Sequence, residues 1–161
     1  MYQSNYFNEI YSIFKQDITD LGRFFVNKVY SFINLNTEFK ITLIDNNAKF
    51  PTKTYPGSTM YDVFSSQSFL LKAHKRSFIS TGLCTEFSKN FYLRITGYDK
   101  MSIIGIDTFN NLIDYNYRDE IRILLINNSD TDYQITNGSK IAQIILERCA
   151  NVDIEKGYLY V

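Results

Sequence analysis

The sequence predicts a mainly β domain, an antiparallel sandwich or distorted, jelly-roll-like barrel, with an amphipathic α-helix added at its N-terminus. Two observations carry that expectation. Apolar residues recur at helical spacing only before residue 33, and period-two alternation takes over from residue 39. From there on, short strand-like runs are separated by turn signals rather than by helices, which argues against a doubly wound parallel sheet.

The helical segment spans residues 4–32. Phe7, Tyr11, Phe14, Ile18, Leu21, Phe25 and Phe32 follow spacings of four and three, with the polar Lys28 at the stripe position between the last two, while Asp17, Asp20, Arg23 and Asn27 lie off that stripe. Such a stripe must be buried against something, whether its own domain, a second copy or a partner protein, and these seven residues are the candidate interaction surface. Its polar face is not strongly basic, which disfavours a membrane surface. The expected division is a helical extension over 1–35 and a β domain over 36–161. Within the second part, Phe39-Lys40-Ile41-Thr42-Leu43 alternates and Asp45-Asn46-Asn47 turns the chain. Further strands are expected at 60–64, 68–71, 76–80, 91–95, 120–126, 132–135 and 141–147. Pro56-Gly57, Asn127-Asn128-Ser129-Asp130 and Asn137-Gly138 supply turns between them.

Composition narrows the function classes. With 161 residues, 45% hydrophobic and 21% charged, the chain has enough apolar material for one sizeable core. It carries 13 Tyr and 13 Phe but no Trp, a loading that suits a sheet core or an interface. Seventeen basic and 17 acidic residues balance, so nucleic acid is not an expected partner. The one tight basic cluster, Lys72, His74, Lys75 and Arg76, reads as a solvated hairpin rim. Cys84 and Cys149 allow at most one disulfide and match no zinc spacing. No apolar run approaches the ~20 residues of a membrane span, and no secretion signal is evident at the N-terminus. A soluble, intracellular protein is the expectation.

Catalytic motifs are sparse. P-loop, Ser-His-Asp and zincin patterns are absent, and His74 is the sole histidine. The segment Ile113-Asp114-Tyr115-Asn116-Tyr117 places a carboxylate three residues before an aromatic ring at the mouth of the apolar strand 121–126. An acid and a ring so placed can orient water and shape a sugar or heterocycle pocket.

Four segments in order resemble the trimeric dUTPase family over roughly residues 39–147. Pro56-Gly57-Ser58-Thr59-Met60-Tyr61-Asp62-Val63 is similar to that family's first motif, P-G-S-A-G-Y-D-L. Thr81-Gly82-Leu83 resembles its Thr-Gly-Ile strand end. Asn111 to Ile121 looks like the third motif, G-V-I-D-x-D-Y-x-G-E, and Gly138-Ser139-Lys140-Ile141-Ala142-Gln143 looks like the fourth, G-D-R-I-A-Q. The resemblance implies a homotrimer with sites at subunit boundaries. It also implies roles: Asp114 orienting the attacking water, Tyr117 packing under deoxyribose, Asp62 supporting Mg through water, and Gln143 touching the phosphates.

The second motif departs from the family pattern. A gap-free count back from Asn111 sets P-R-S-G-L-A on Thr96 to Met101, so Gly97 replaces the arginine and Tyr98 the serine. Lys100 and Lys140 are the cations left to compensate, and Lys140 lacks the planar fork of the family's arginine. The third motif's glycines have become Asn111 and Asp119, which suggests a reshaped hairpin. The tail Asn151–Val161 does not match the fifth motif, an Arg- and Gly-rich arm. Phosphoryl transfer depends on positioning and electrostatic stabilisation, and these changes weaken both. The expectation is therefore a catalytically inactive relative, acting as a structural or protein-interaction module. No metal or cofactor is then expected, and Asp114, Tyr117, Asp62, Gln143, Lys100 and Lys140 are vestigial. The alternatives are a Mg-dependent pyrophosphatase making dUMP, and a nucleotide binder that does not hydrolyse. Abundant Asn, Ile, Tyr, Phe and Lys, together with this fold, point to a large DNA virus, with a host or virion protein as partner of the helix.

Overall fold

A computed structural model describes residues 38–150 and 152–157, so the stripe from Phe7 to Phe32 lies outside the described residues. Those described belong to a compact unit that begins at Glu38. In order they form β1 (Phe39–Leu43), β2 (Thr52–Lys53), β3 (Tyr61–Phe64), β4 (Phe69–Leu71), β5 (Arg76–Ser80), β6 (Leu83–Phe87) and β7 (Phe91–Thr96). There follow the short helix α1 (Asp99–Ile103), β8 (Ile106–Thr108), β9 (Asn111–Ile113), β10 (Arg122–Asn127), β11 (Tyr133–Ile135) and β12 (Lys140–Arg148). Every strand pairing is antiparallel. The mainly β, antiparallel expectation holds.

Four sheets share one core. A five-stranded sheet runs β2-β3-β12-β7-β9, a three-stranded one runs β5-β10-β8, and the pairs β1-β6 and β11-β4 complete the unit. Alternation explains which side of each strand is buried. Phe91, Leu93 and Ile95 of β7 and Ile123 and Leu125 of β10 point inward, whereas their neighbours are half-buried or exposed. Ile79, Leu83, Ile106, Ile135, Ile141 and Ile144 join them in a single cluster drawn from different sheets. Fully burying each such side chain contributes about 1.5–3 kcal/mol, so this cluster is the main source of stability.

Two details set the site in place. Gly82 sits at φ 65°, and a Cβ there would lie 2.6 Å from the Ala48 Cβ and 2.7 Å from the Asp45 Cβ. Only glycine meets both demands, so the Thr81-Gly82 step between β5 and β6 is fixed by packing as well as by backbone. In β12 the register against β3 shifts between Lys140 and Ala142, a β-bulge. An unbroken strand would send Lys140 and Gln143 to opposite faces. The irregularity brings both against Asp62.

Five elements were not anticipated from the sequence: β2, β6, β8, β9 and α1. Strand β6 alternates cleanly in burial, yet it follows Gly82 so closely that it reads as the tail of the preceding motif. The others have two to five residues each, too few for a period to show. Asn111 and Asp119 do not have positive φ; among the described non-glycine residues only His74 does. The third-motif turn is thus formed without the backbone freedom that its missing glycines would have given. The basic cluster is not on a hairpin: it lies in and after the turn from β4 to β5, strands of two different sheets, with Lys72 paired to Asp132 at 2.9 Å and His74 to Asp130 at 3.0 Å. Cys84 and Cys149 are both free thiols. Among the described residues, no helix is long and apolar enough to cross a membrane.

Candidate functional site

The sequence-marked residues fall into two groups. The first surrounds Asp62 on β3, which faces Gln143 across the β3–β12 ladder. Asp62 Oδ1 accepts from the Thr54 hydroxyl at 2.7 Å and from Gln143 Nε2 at 2.9 Å, and pairs with Lys140 Nζ at 2.6 Å. Gln143 Nε2 also donates to Thr54 Oγ1 at 2.9 Å, so its amide hydrogens are already engaged. The Lys140 ammonium lies 4.4 Å from the centre of the Tyr98 ring, and the Tyr98 hydroxyl donates to the Lys140 carbonyl at 2.8 Å. Both charged side chains are largely covered, with Asp62 14% and Lys140 22% exposed.

The electrostatics follow from that enclosure. Partial burial pushes the Asp62 carboxyl up. Hydrogen bonds from Lys140, Thr54 and Gln143, with the Lys140 charge, outweigh it and hold the group below its ordinary value. Burial, then Tyr133 and Asp62, push the Tyr98 phenol up, so it stays protonated and able to donate. The group is bonded within itself through Asp62 Oδ1: the Lys140 ammonium, the Gln143 amide and the Thr54 hydroxyl all meet that one oxygen.

The second group lies in the segment after β9. Asp114 Oδ1 accepts from the Tyr115 N–H at 2.7 Å, and the Tyr117 N–H closes a turn onto the Asp114 carbonyl at 3.1 Å. The Tyr117 hydroxyl donates to the Glu120 carbonyl at 3.0 Å. Arg118 Nη1 donates to the carbonyls of Tyr115 at 2.6 Å and Tyr117 at 2.9 Å. Glu120 Oε1 in turn accepts from the backbone of Gly82 at 2.8 Å and Thr81 at 3.2 Å. The turn is therefore pinned to the Thr81-Gly82 step. It borders a cavity of about 360 Å³ lined by Asn111, Leu112, Ile113, Asp114, Asn116 and Tyr117, with Phe78 from β5 and Arg122 from β10.

The structure thus gathers Asp62, Lys140 and Gln143 in one place and Asp114 and Tyr117 in another. Lys100 is exposed on α1 and is bonded to neither group. Burial also corrects the second-motif register. The gap-free count puts the motif's leucine on Lys100, yet the buried residue is Met101, 2% exposed. Sliding the motif by one residue places its arginine on Tyr98 and its serine on Asp99. Neither replacement donates to an anion as an arginine would. Sequence reasoning missed Phe78 and Arg122, because an arginine alternating with Ile123 and Leu125 reads as an ordinary solvated position.

A magnesium ion is a poor match for the Asp62 group. Oδ1 already accepts from three donors, and the Lys140 ammonium supplies there the positive charge that a divalent cation would bring. Among the described residues, no three His, Cys, Asp or Glu side chains gather to hold a metal.

The antiparallel β fold, with a carboxylate-and-tyrosine cavity beside the Thr-Gly step, is of the dUTPase-like type. The dUTPase family profile matches residues 46–158. The deoxyuridine 5'-triphosphate nucleotidohydrolase of Vaccinia virus (strain Copenhagen) is 32% identical over 124 residues, covering 77% of this chain and 84% of its own. That of Swinepox virus (strain Kasza) is 37% identical over 110 residues, covering 68% and 78%. Among solved structures, the dUTPase from phage phi11 of S. aureus superposes with a TM-score of 0.72 at 17% identity, covering 76% of this chain and 97% of that one. The Staphylococcus bacteriophage 80alpha dUTPase gives 0.71 at 16%, covering 77% and 98%. The chain belongs to the dUTPase family.

Proposed function

We propose that this dUTPase-family chain does not hydrolyse dUTP and acts instead by binding, as a structural or interaction module. One observation carries the reading: the groups expected to meet the phosphates are bonded to one another. Lys140 neutralises Asp62, Gln143 donates to Asp62 and Thr54, and Tyr98 and Asp99 stand where the second motif would offer arginine and serine. Electrostatic stabilisation of a transferring phosphoryl group needs unengaged donors aimed at it. Here an anion, Asp99, has been added and the nearest ammonium is already paired.

The separation of the Asp62 group from the Asp114 cavity suits sites shared between copies, so a homotrimer remains our reading of the assembly. The amphipathic stripe Phe7, Tyr11, Phe14, Ile18, Leu21, Phe25 and Phe32 is then the surface for a host or virion protein. Among the fold neighbours, the phage 80alpha dUTPase is described as controlling transfer of virulence genes by a proto-oncogenic G protein-like mechanism, and the structure of a phi11 dUTPase mutant reveals coordination of a structural Mg(II) ion.

Chromatography of dUTP incubated with the full chain, with and without magnesium, tests the reading. The expected result is no dUMP above background, unchanged in Asp114→Ala. Magnesium-dependent formation of dUMP that disappears in Asp114→Ala would establish the hydrolase and end the proposal. A second reading, a nucleotide binder without turnover, is favoured by Arg122 and Asp114 lining one cavity.

A further inference from the structure

We draw no further inference here: the strongest candidate, the apolar outer face of the β5-β10-β8 sheet around the exposed Phe78 and Phe109 with Leu124 between them, carries nothing because nothing in the structure shows what covers it.

Discussion

Replacing Lys140 with methionine isolates the pairing on which the functional reading depends. The substitution keeps a flexible stem near Tyr98 and removes the ammonium 2.6 Å from Asp62 Oδ1. Asp62, 14% exposed, would retain the Thr54 and Gln143 donors but lose its only charged partner. Leaving a largely buried group short of a charged partner costs about 1–3 kcal/mol. For a domain of this size that lowers Tm by roughly 5–10 °C. The double variant Lys140→Met with Asp62→Asn should recover part of the loss, since the two act on one interaction. The sign with pH is fixed by the direction of the Asp62 shift. Its folded pKa lies below the ordinary 3.8, so the pair contributes fully above that value, and the contribution disappears as pH falls through the folded pKa. Thermal melts followed by circular dichroism at pH 7 and at successively lower pH should therefore show a large gap between parent and variant at the first, narrowing once pH falls below the ordinary carboxyl value. A Lys140→Met chain that melts within about 1 °C of the parent at pH 7, or a gap that widens in acid, would refute the closed-network account.

Other perturbations report on neighbouring features. Gly82→Ala forces a Cβ to 2.6 Å from Ala48 at a left-handed φ and should destabilise by about 2–4 kcal/mol in urea titrations. Asn127, fully buried, donates to the carbonyls of Leu71 and Thr131 and accepts from Ser129. Asn127→Ala strands those groups and should cost about 2–4 kcal/mol by the same measurement, whereas Asn128→Ala on the exposed side of the turn should change stability by less than about 1 kcal/mol. A chain starting at Thr37 should keep the far-ultraviolet signature of a β protein and melt cooperatively, because the residues from Glu38 onward form a compact unit of their own.

The strands that were legible in the sequence are those whose alternation lasts or whose motif is recognisable. Six residues of β7 repeat inward and outward often enough for the period to stand out, whereas the nine of β12 do not alternate in burial and are legible from their apolar content and motif instead. The positions of Asp62, Lys140 and Gln143 are legible because their motifs lie in recognisable order, but their bonding to one another is seen only in the fold. What the sequence withheld was relational. Nothing in Arg122-Ile123-Leu124 announces that Phe78, 44 residues earlier in number, lies beneath the arginine; only the pairing of β5 with β10 brings them together. Likewise the second motif was set one residue out of register because a count along the chain is blind to burial. Met101 inside and Lys100 outside settle it.

The bulge in β12 has a wider meaning for how such a fold changes. Ile141 and Ile144 stay in the interior while Lys140 and Gln143 meet Asp62 on the other side. Chemistry stationed at a kink of this kind can be retyped, from arginine to lysine or from donor to bystander, with hardly any disturbance to the residues that keep the barrel standing. Side chains at such a position can vary while the architecture is retained.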